Sequence, residues 1–158
     1  MKIINTIVPI VAFVVVADQL SKFAAVARLQ EASIDVIPGL FSLTLAYNKG
    51  AAFGFLSGLP DGVRQFALAA TTVVAIAAVL FMLLRYYRDS VWGCVSIGLI
   101  LGGALGNIID RVRLGMVVDF LDVYWDTLHW PTFNVADSCI CIGVAVLFFL
   151  KGDKTTAS

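Results

Sequence analysis

Residues Val91–Arg111 read VWGCVSIGLILGGALGNIIDR, and how this stretch is read decides the fold. No charged side chain occurs from Val91 to Ile109. A helix needs about 20 consecutive apolar residues to cross the hydrocarbon core of a bilayer, and this run supplies them. Backbone groups in lipid must pair within their own segment, which leaves the helix as the form it takes. Gly98, Gly102 and Gly106 recur at every fourth position, a seam along which another helix can approach closely. Asn107, Asp110 and Arg111 then place polar groups within or just past the outer end of the span. Asn107 and Arg111 share a face if the helix continues. Arg111 has the chemistry to anchor Asp110 or to meet a phosphate or a carbonyl.

Three further apolar runs flank this one, at about residues 3–27, 66–84 and 135–150. The last is short for a span, so it starts near the interface or borrows flanking residues. The expected architecture is an integral membrane, mainly α protein. One domain over residues 1–158 carries four transmembrane helices, with loops at about 28–65 and 110–134 forming a small extracytoplasmic β-sheet. Composition agrees: the chain is 60% hydrophobic and 14% charged, with mean hydropathy +0.94. Soluble domains carry about 25% charged residues. Lys2 before an apolar run superficially resembles a signal peptide. The run outlasts an ordinary signal segment and carries Asp18 and Lys22 at its far end, so it reads as an uncleaved first helix.

Net charge is zero and no basic block occurs, which argues against a nucleic-acid partner. Lys2, Arg85, Arg88, Lys151 and Lys154 would share the side of the termini, packed in very short segments. Arg28, Lys49, Arg64, Arg111 and Arg113 would lie opposite, spread over long loops. That density places the termini in the cytoplasm. Cys94, Cys139 and Cys141 read as small buried apolar residues. His129 is the single histidine and has no Cys or His cluster beside it, so neither a metal nor another cofactor is expected.

In Phe41–Tyr47, large apolar residues alternate with small or polar ones, the period of a half-buried strand. Met116–Trp125 is also β-prone and is expected to join it. Gly39, Gly50, Gly54, Gly58 and Pro60 punctuate the first loop into turns, and its glycines offer hinges for a segment from about 37 to 56 that covers a site.

Two carboxylates stand out because a membrane-bound chain has no evident structural need for them. Asp119 lies inside the apolar run Met116–Leu121, and Asp137 at the mouth of the last apolar segment. Ionised carboxylates are expensive where water is scarce. Two held together share a proton, and such a pair can activate water and protonate a leaving amine. Asn134 lies three residues before Asp137, the spacing of a capping box, which by itself would explain Asp137 but not Asp119. Asp18 and Lys22 lie one turn apart on one helix face, where Lys22 can snorkel toward the headgroups. Asn48, followed by Lys49 and Gly50, suits a loop that holds an extended peptide by its main chain. Other readings are a small ion-coupled transporter, or a scaffold whose polar groups join helices. Against the transporter, the acids gather toward one face and form no relay across the bilayer.

The ordered segments DQLSK (18–22), NKGAAFG (48–54), GGALGNIIDR (102–111), VVDF (117–120) and FNVADS (133–138) resemble those of the bacterial lipoprotein signal peptidase family, signal peptidase II. The resemblance covers nearly the whole chain. It implies a four-helix inner-membrane aspartyl endopeptidase with an extracytoplasmic β-cradle and an active site toward that face. The implied substrates are diacylglyceryl-modified prolipoproteins, cut just before the lipidated cysteine. It implies Asp119 and Asp137 as the catalytic pair. Asp18, Lys22, Asn48, Gly103, Asn107, Asp110, Arg111, Asn134 and Ala136 fall on supporting or substrate-binding positions. Membrane lipids and globomycin-type cyclic peptide inhibitors are the other implied partners, and a monomer is the expected state.

Overall fold

The protein is described from a computed structural model over residues 2–50, 58, 60–87 and 89–150. Among the described residues, four α-helices and four strands follow one another in the order α-β-β-α-α-β-β-α. Helix α1 (Lys2–Arg28) is followed by β1 (Ile34–Ile37) and β2 (Phe41–Asn48). Helix α2 (Asp61–Met82) ends in a π-helical turn, Leu83–Tyr87. Then come α3 (Val91–Leu114), β3 (Val117–Trp125), β4 (Leu128–His129) and α4 (Val135–Phe149).

Helix α3 is the centre of the bundle and packs on α1 and α4, with α2 leaning on it more lightly. Its glycines set both contacts. A Cβ on Gly102 would lie 2.7 Å from Cβ of Val14, and one on Gly98 3.0 Å from Cβ of Ile10, so this seam accepts α1. A Cβ on Gly103 would overlap the carbonyl of Ala136, so the neighbouring face accepts α4. Gly143 returns the contact from α4, where a Cβ would lie 2.6 Å from the carbonyl of Ser96. Two faces of one helix are thus kept bare so that two backbones can close on it.

Segments 3–28, 62–87 and 91–114 are long and apolar enough to cross a membrane, and α4 is a shorter apolar helix of 15 residues. Outward-facing side chains agree with a lipid surround: Phe13, Phe23, Phe66, Phe148 and Phe149 are all exposed by 74–83%. Helix α3 runs five residues past the expected Ile109, because Asp110, Arg111 and Arg113 are compatible with a helix that Gly115 then ends at φ 72°. Helix α2 likewise starts earlier than expected, at Asp61. Cys94 is buried and Cys139 half-buried, but Cys141 is exposed on α4, contrary to the expectation of burial: its side chain falls on the outer face of the helix.

The expected strands at 41–47 and 116–125 are present as β2 and β3. They are flanked by β1 and β4 in one antiparallel order, β1-β2-β3-β4. Gly39, at φ 80°, makes the turn into β2. Of the segment expected to cover a site, residues 51–56, Gly54 among them, lie outside the described residues.

The β2–β3 register holds one irregularity that matters for function. Leu43 pairs with Leu121, but Ala46 pairs with Asp119, so β2 carries one extra residue between them. Side chains alternate along a strand, so the extra residue changes which of them share a face. With the bulge, Ala46 and Asn48 lie on the face of Asp119. Without it, Leu45 and Tyr47 would.

Candidate active site

Where α1, α3, α4 and β3 meet, the polar residues converge. Asp18, Lys22, Asn107, Asp110, Asp119 and Asn134 are all buried, with exposures of 0–6%. Lys22 Nζ donates to Asp110 Oδ2 at 2.8 Å, to Asp18 Oδ2 at 2.9 Å and to Asn107 Oδ1 at 3.0 Å. Three acceptors match the three donors of an ammonium group. The expectation that Lys22 snorkels toward the headgroups is therefore wrong. Its ammonium is buried and held by two carboxylates, and so has no reason to leave.

The remaining valences of this knot reach the neighbouring elements. Asp18 Oδ1 accepts the backbone N–H of Ala136 at 2.9 Å, in the first turn of α4, where the helix dipole favours a negative charge. Gly106 makes room for that carboxylate, since a Cβ there would lie 2.5 Å from Asp18 Oδ2. Asp110 Oδ2 accepts the N–H of Val118 at 3.1 Å and so fixes the start of β3. Gln19 Nε2 donates toward Asp110 Oδ1, Asp18 Oδ2 and the carbonyl of Gly106 at 3.0–3.2 Å. Gln19 lies inside the DQLSK segment, where an amide beside a charged pair has no signature of its own. Ser21 Oγ donates to the carbonyl of Asp18.

Beyond this knot lie Asp119 and Asp137, joined through Asn134. Asn134 Nδ2 donates to Asp119 Oδ1 at 2.7 Å, while its Oδ1 accepts the N–H of Asp137 at 2.9 Å. Asp137 Oδ2 in turn accepts the N–H of Asn134 at 3.3 Å, which completes a capping box on α4. Capping and site architecture are thus one arrangement. Asn107 Nδ2 donates to Asp137 Oδ1 at 2.8 Å, and Asn48 Nδ2 to Asp119 Oδ2 at 3.1 Å. The bulge in β2 is what turns Asn48 to that side.

Asp119 is 1% exposed and lies on β3. Burial pushes its carboxyl up to about 6, with the charge of Asp137 adding to the rise and the amides of Asn48 and Asn134 opposing it. A carboxyl so placed exchanges a proton near neutral pH.

Arg111 does not anchor Asp110 as the sequence allowed; Lys22 and Gln19 hold that carboxylate. Its side chain makes no hydrogen bond or ion pair among the described residues. Instead Arg111 and Asp137 line a cavity of about 380 Å³ between α2, α3 and α4, whose other walls include Ile76, Ile100, Ala104 and Ile140.

The sheet holds a second buried carboxylate, which no pattern in the sequence marks. Asp122, 6% exposed, meets Nδ1 of His129 at 3.0 Å and accepts from Ser42 Oγ at 3.3 Å. His129 therefore belongs to a strand pairing, with its ring stacked on Tyr124 at 5.0 Å between centroids.

The architecture is that of a bacterial membrane enzyme. Two solved chains described by that phrase, both obtained by the in meso method, superpose with TM-scores of 0.75 and 0.74. They are 35% and 34% identical, each over 92% of this chain, and it covers 91% and 86% of theirs. The family model of signal peptidase (SPase) II matches residues 10–151, and the chain belongs to that family of peptidases. The lipoprotein signal peptidase of Geobacter metallireducens is 52% identical over 87% of this chain and 85% of its own. That of Syntrophotalea carbinolica is 49% identical over 90% and 88%.

Proposed function

We propose that this peptidase is an aspartyl endopeptidase that removes the signal peptide of diacylglyceryl-modified prolipoproteins, cutting immediately before the lipidated cysteine. The observation that carries the reading is the linkage of Asp119 and Asp137 through the amide of Asn134, with no ion pair to either carboxylate among the described residues.

Asp119, its carboxyl raised to about 6, holds the shared proton and passes it to the scissile carbonyl oxygen as water adds. Asp137 takes a proton from water as the water oxygen bonds to the carbonyl carbon. The product is a neutral gem-diol. Asp137 then gives its proton to the leaving nitrogen as the C–N bond breaks, and a diol hydroxyl returns one to the pair. The dyad ends singly protonated, as it began, and the reaction uses side chains alone.

The cavity beside Asp137 and Arg111 takes an acyl chain of the substrate, its apolar walls running away from the dyad along α3. The peptide lies extended near Asn48 at the β2 edge, where main-chain hydrogen bonding fixes its register. All four helices cross the bilayer in this reading. Helix α4, about 22 Å long at 1.5 Å per residue, is completed by bilayer thinning or flanking residues. The active site faces the extracytoplasmic side of the inner membrane, with both termini in the cytoplasm and the enzyme acting as a monomer. Globomycin-type cyclic peptides would compete for the same site.

The test is cleavage of a diacylated prolipoprotein by the purified protein in lipid, with an unlipidated precursor alongside. The expected result is cleavage of the lipidated form, strongly reduced for the other, and insensitivity to chelators and to serine- or cysteine-directed reagents. Equal turnover of both precursors would make it a general signal peptidase. Chelator-sensitive cleavage restored by zinc would replace the aspartyl mechanism.

A further inference from the structure

A second cavity, of about 260 Å³, lies between the outer turns of α1 and the sheet. Ala24, Ile34, Leu43 and Phe120 give it mainly apolar walls, and neither dyad residue lines it. Phe120 directly follows Asp119 on β3, so alternation turns the two side chains to opposite sides of the strand. Among the described residues, Arg28 is the only charged one lining the cavity; it is exposed and makes no ion pair with any of them. Arg28 ends α1, where a cation complements the helix dipole. The dipole accounts for the charge but not for an apolar recess beside it.

We propose that this recess is a binding site for an anionic phospholipid of the surrounding bilayer, with one acyl chain in the cavity and its phosphate on Arg28. Arg28 can meet the phosphate of any phospholipid, but no carboxylate among the described lining residues is there to meet a choline cation, so a headgroup of net negative charge is favoured. An acyl chain alone would leave Arg28 without a counter-ion, and a free phosphate would leave the recess empty. A guanidinium matches two phosphate oxygens at once, which a lipid with only a glyceryl headgroup cannot offer. The site is distinct from the cavity at Asp137 and has its own chemistry, since the substrate's diacylglyceryl group carries no phosphate. Occupancy would brace Phe120 and, through the strand, the neighbouring Asp119.

The test places the full-length protein in phosphatidylcholine nanodiscs containing a trace of photoactivatable phosphatidylglycerol, with a matched photoactivatable phosphatidylcholine as control. Labelled peptides are mapped by mass spectrometry. The expected result is phosphatidylglycerol labelling of the peptides containing Ala24, Ile34 or Leu43, several-fold above the control. Arg28→Gln should reduce it by about five-fold, as expected for one basic side chain at a membrane surface. Ala24→Phe, which fills the recess from an exposed position on α1, should reduce labelling by both lipids without changing thermal unfolding. Equal labelling by the two lipids, or labelling unmoved by either variant, would overturn the proposal. So would competition by a diacylated peptide lacking phosphate, which would assign the recess to substrate.

Discussion

Asp18 and Asp110 are held by a cation, whereas Asp119 and Asp137 are held by amides. All four carboxylates belong to one polar cluster, yet the difference divides the work. Lys22 bonds both members of the first pair at under 3 Å, and each accepts a backbone N–H as well. A carboxylate fixed in that way ties α1 to α3, α4 and β3. The second pair receives hydrogen bonds from Asn48, Asn107 and Asn134, which orient it without cancelling its charge. Neutral donors leave the proton free to move. Structure rests on the ion-paired half, and the proposed chemistry on the amide-held half.

The largest expected effect comes from breaking the first half. Lys22→Met should cost about 3–5 kcal/mol, because it leaves two buried carboxylates without a counter-ion. Thermal unfolding in detergent should show it, and adding Asp18→Asn and Asp110→Asn to the same chain should restore part of the loss. A fold indifferent to Lys22→Met would dissolve the distinction between the halves.

Breaking the second half should leave the fold and remove the chemistry. Asp119→Asn or Asp137→Asn should slow peptide cleavage at least about 100-fold, the usual effect of losing a general acid or base. Circular dichroism and membrane insertion should be unchanged. Near-normal cleavage by either variant would remove that residue from the dyad.

Gly103→Ala probes the joint between the halves. Its Cβ would meet the backbone carbonyl of Ala136, which cannot swing aside as a side chain does. Overpacking of this kind costs about 1–3 kcal/mol, measurable as a lowered unfolding temperature. An unchanged temperature would show that α4 can move away from α3 freely.

The smallest effects carry opposite signs and are the sharpest test. Asp119 titrates at about 6, protonated below and ionised above, so kcat/KM should fall as pH rises through that value. Asp137→Asn removes a neighbouring negative charge and should lower the Asp119 value. Asn48→Ala removes a donor to its ionised form and should raise it. Carbon-13 NMR of labelled aspartate follows both; two shifts of the same sign would contradict the assigned surroundings.

Much of this arrangement can be read from the chain before folding. The apolar runs mark the helices, and alternation marks β2. Asp119 announces itself because an acid inside Met116–Leu121 has no other use. Asp18 and Lys22 pair at helical spacing, but the second carboxylate on Lys22 is 88 residues away, and no local pattern carries that distance. Strand β4 is too short to show a period, so nothing in the sequence relates His129 to Asp122, which the sheet brings together. The bulge in β2 is equally silent in sequence, since it is a property of pairing and not of either strand.

The placing of Lys22 has a consequence for how the protein is made. A single Asp or Lys at the centre of an emerging helix disfavours release into lipid by about 2.5–3.5 kcal/mol. Because Asp18 lies one turn before Lys22, α1 can leave the translocation channel with its counter-ion already aboard, as a segment of no net charge at that level. Asp110 has no such companion at hydrogen-bond distance on α3, and its pairing with Lys22 waits until α3 arrives. Early insertion of the first helix and later capture of the third are thus written into which side of the ion pair each residue occupies.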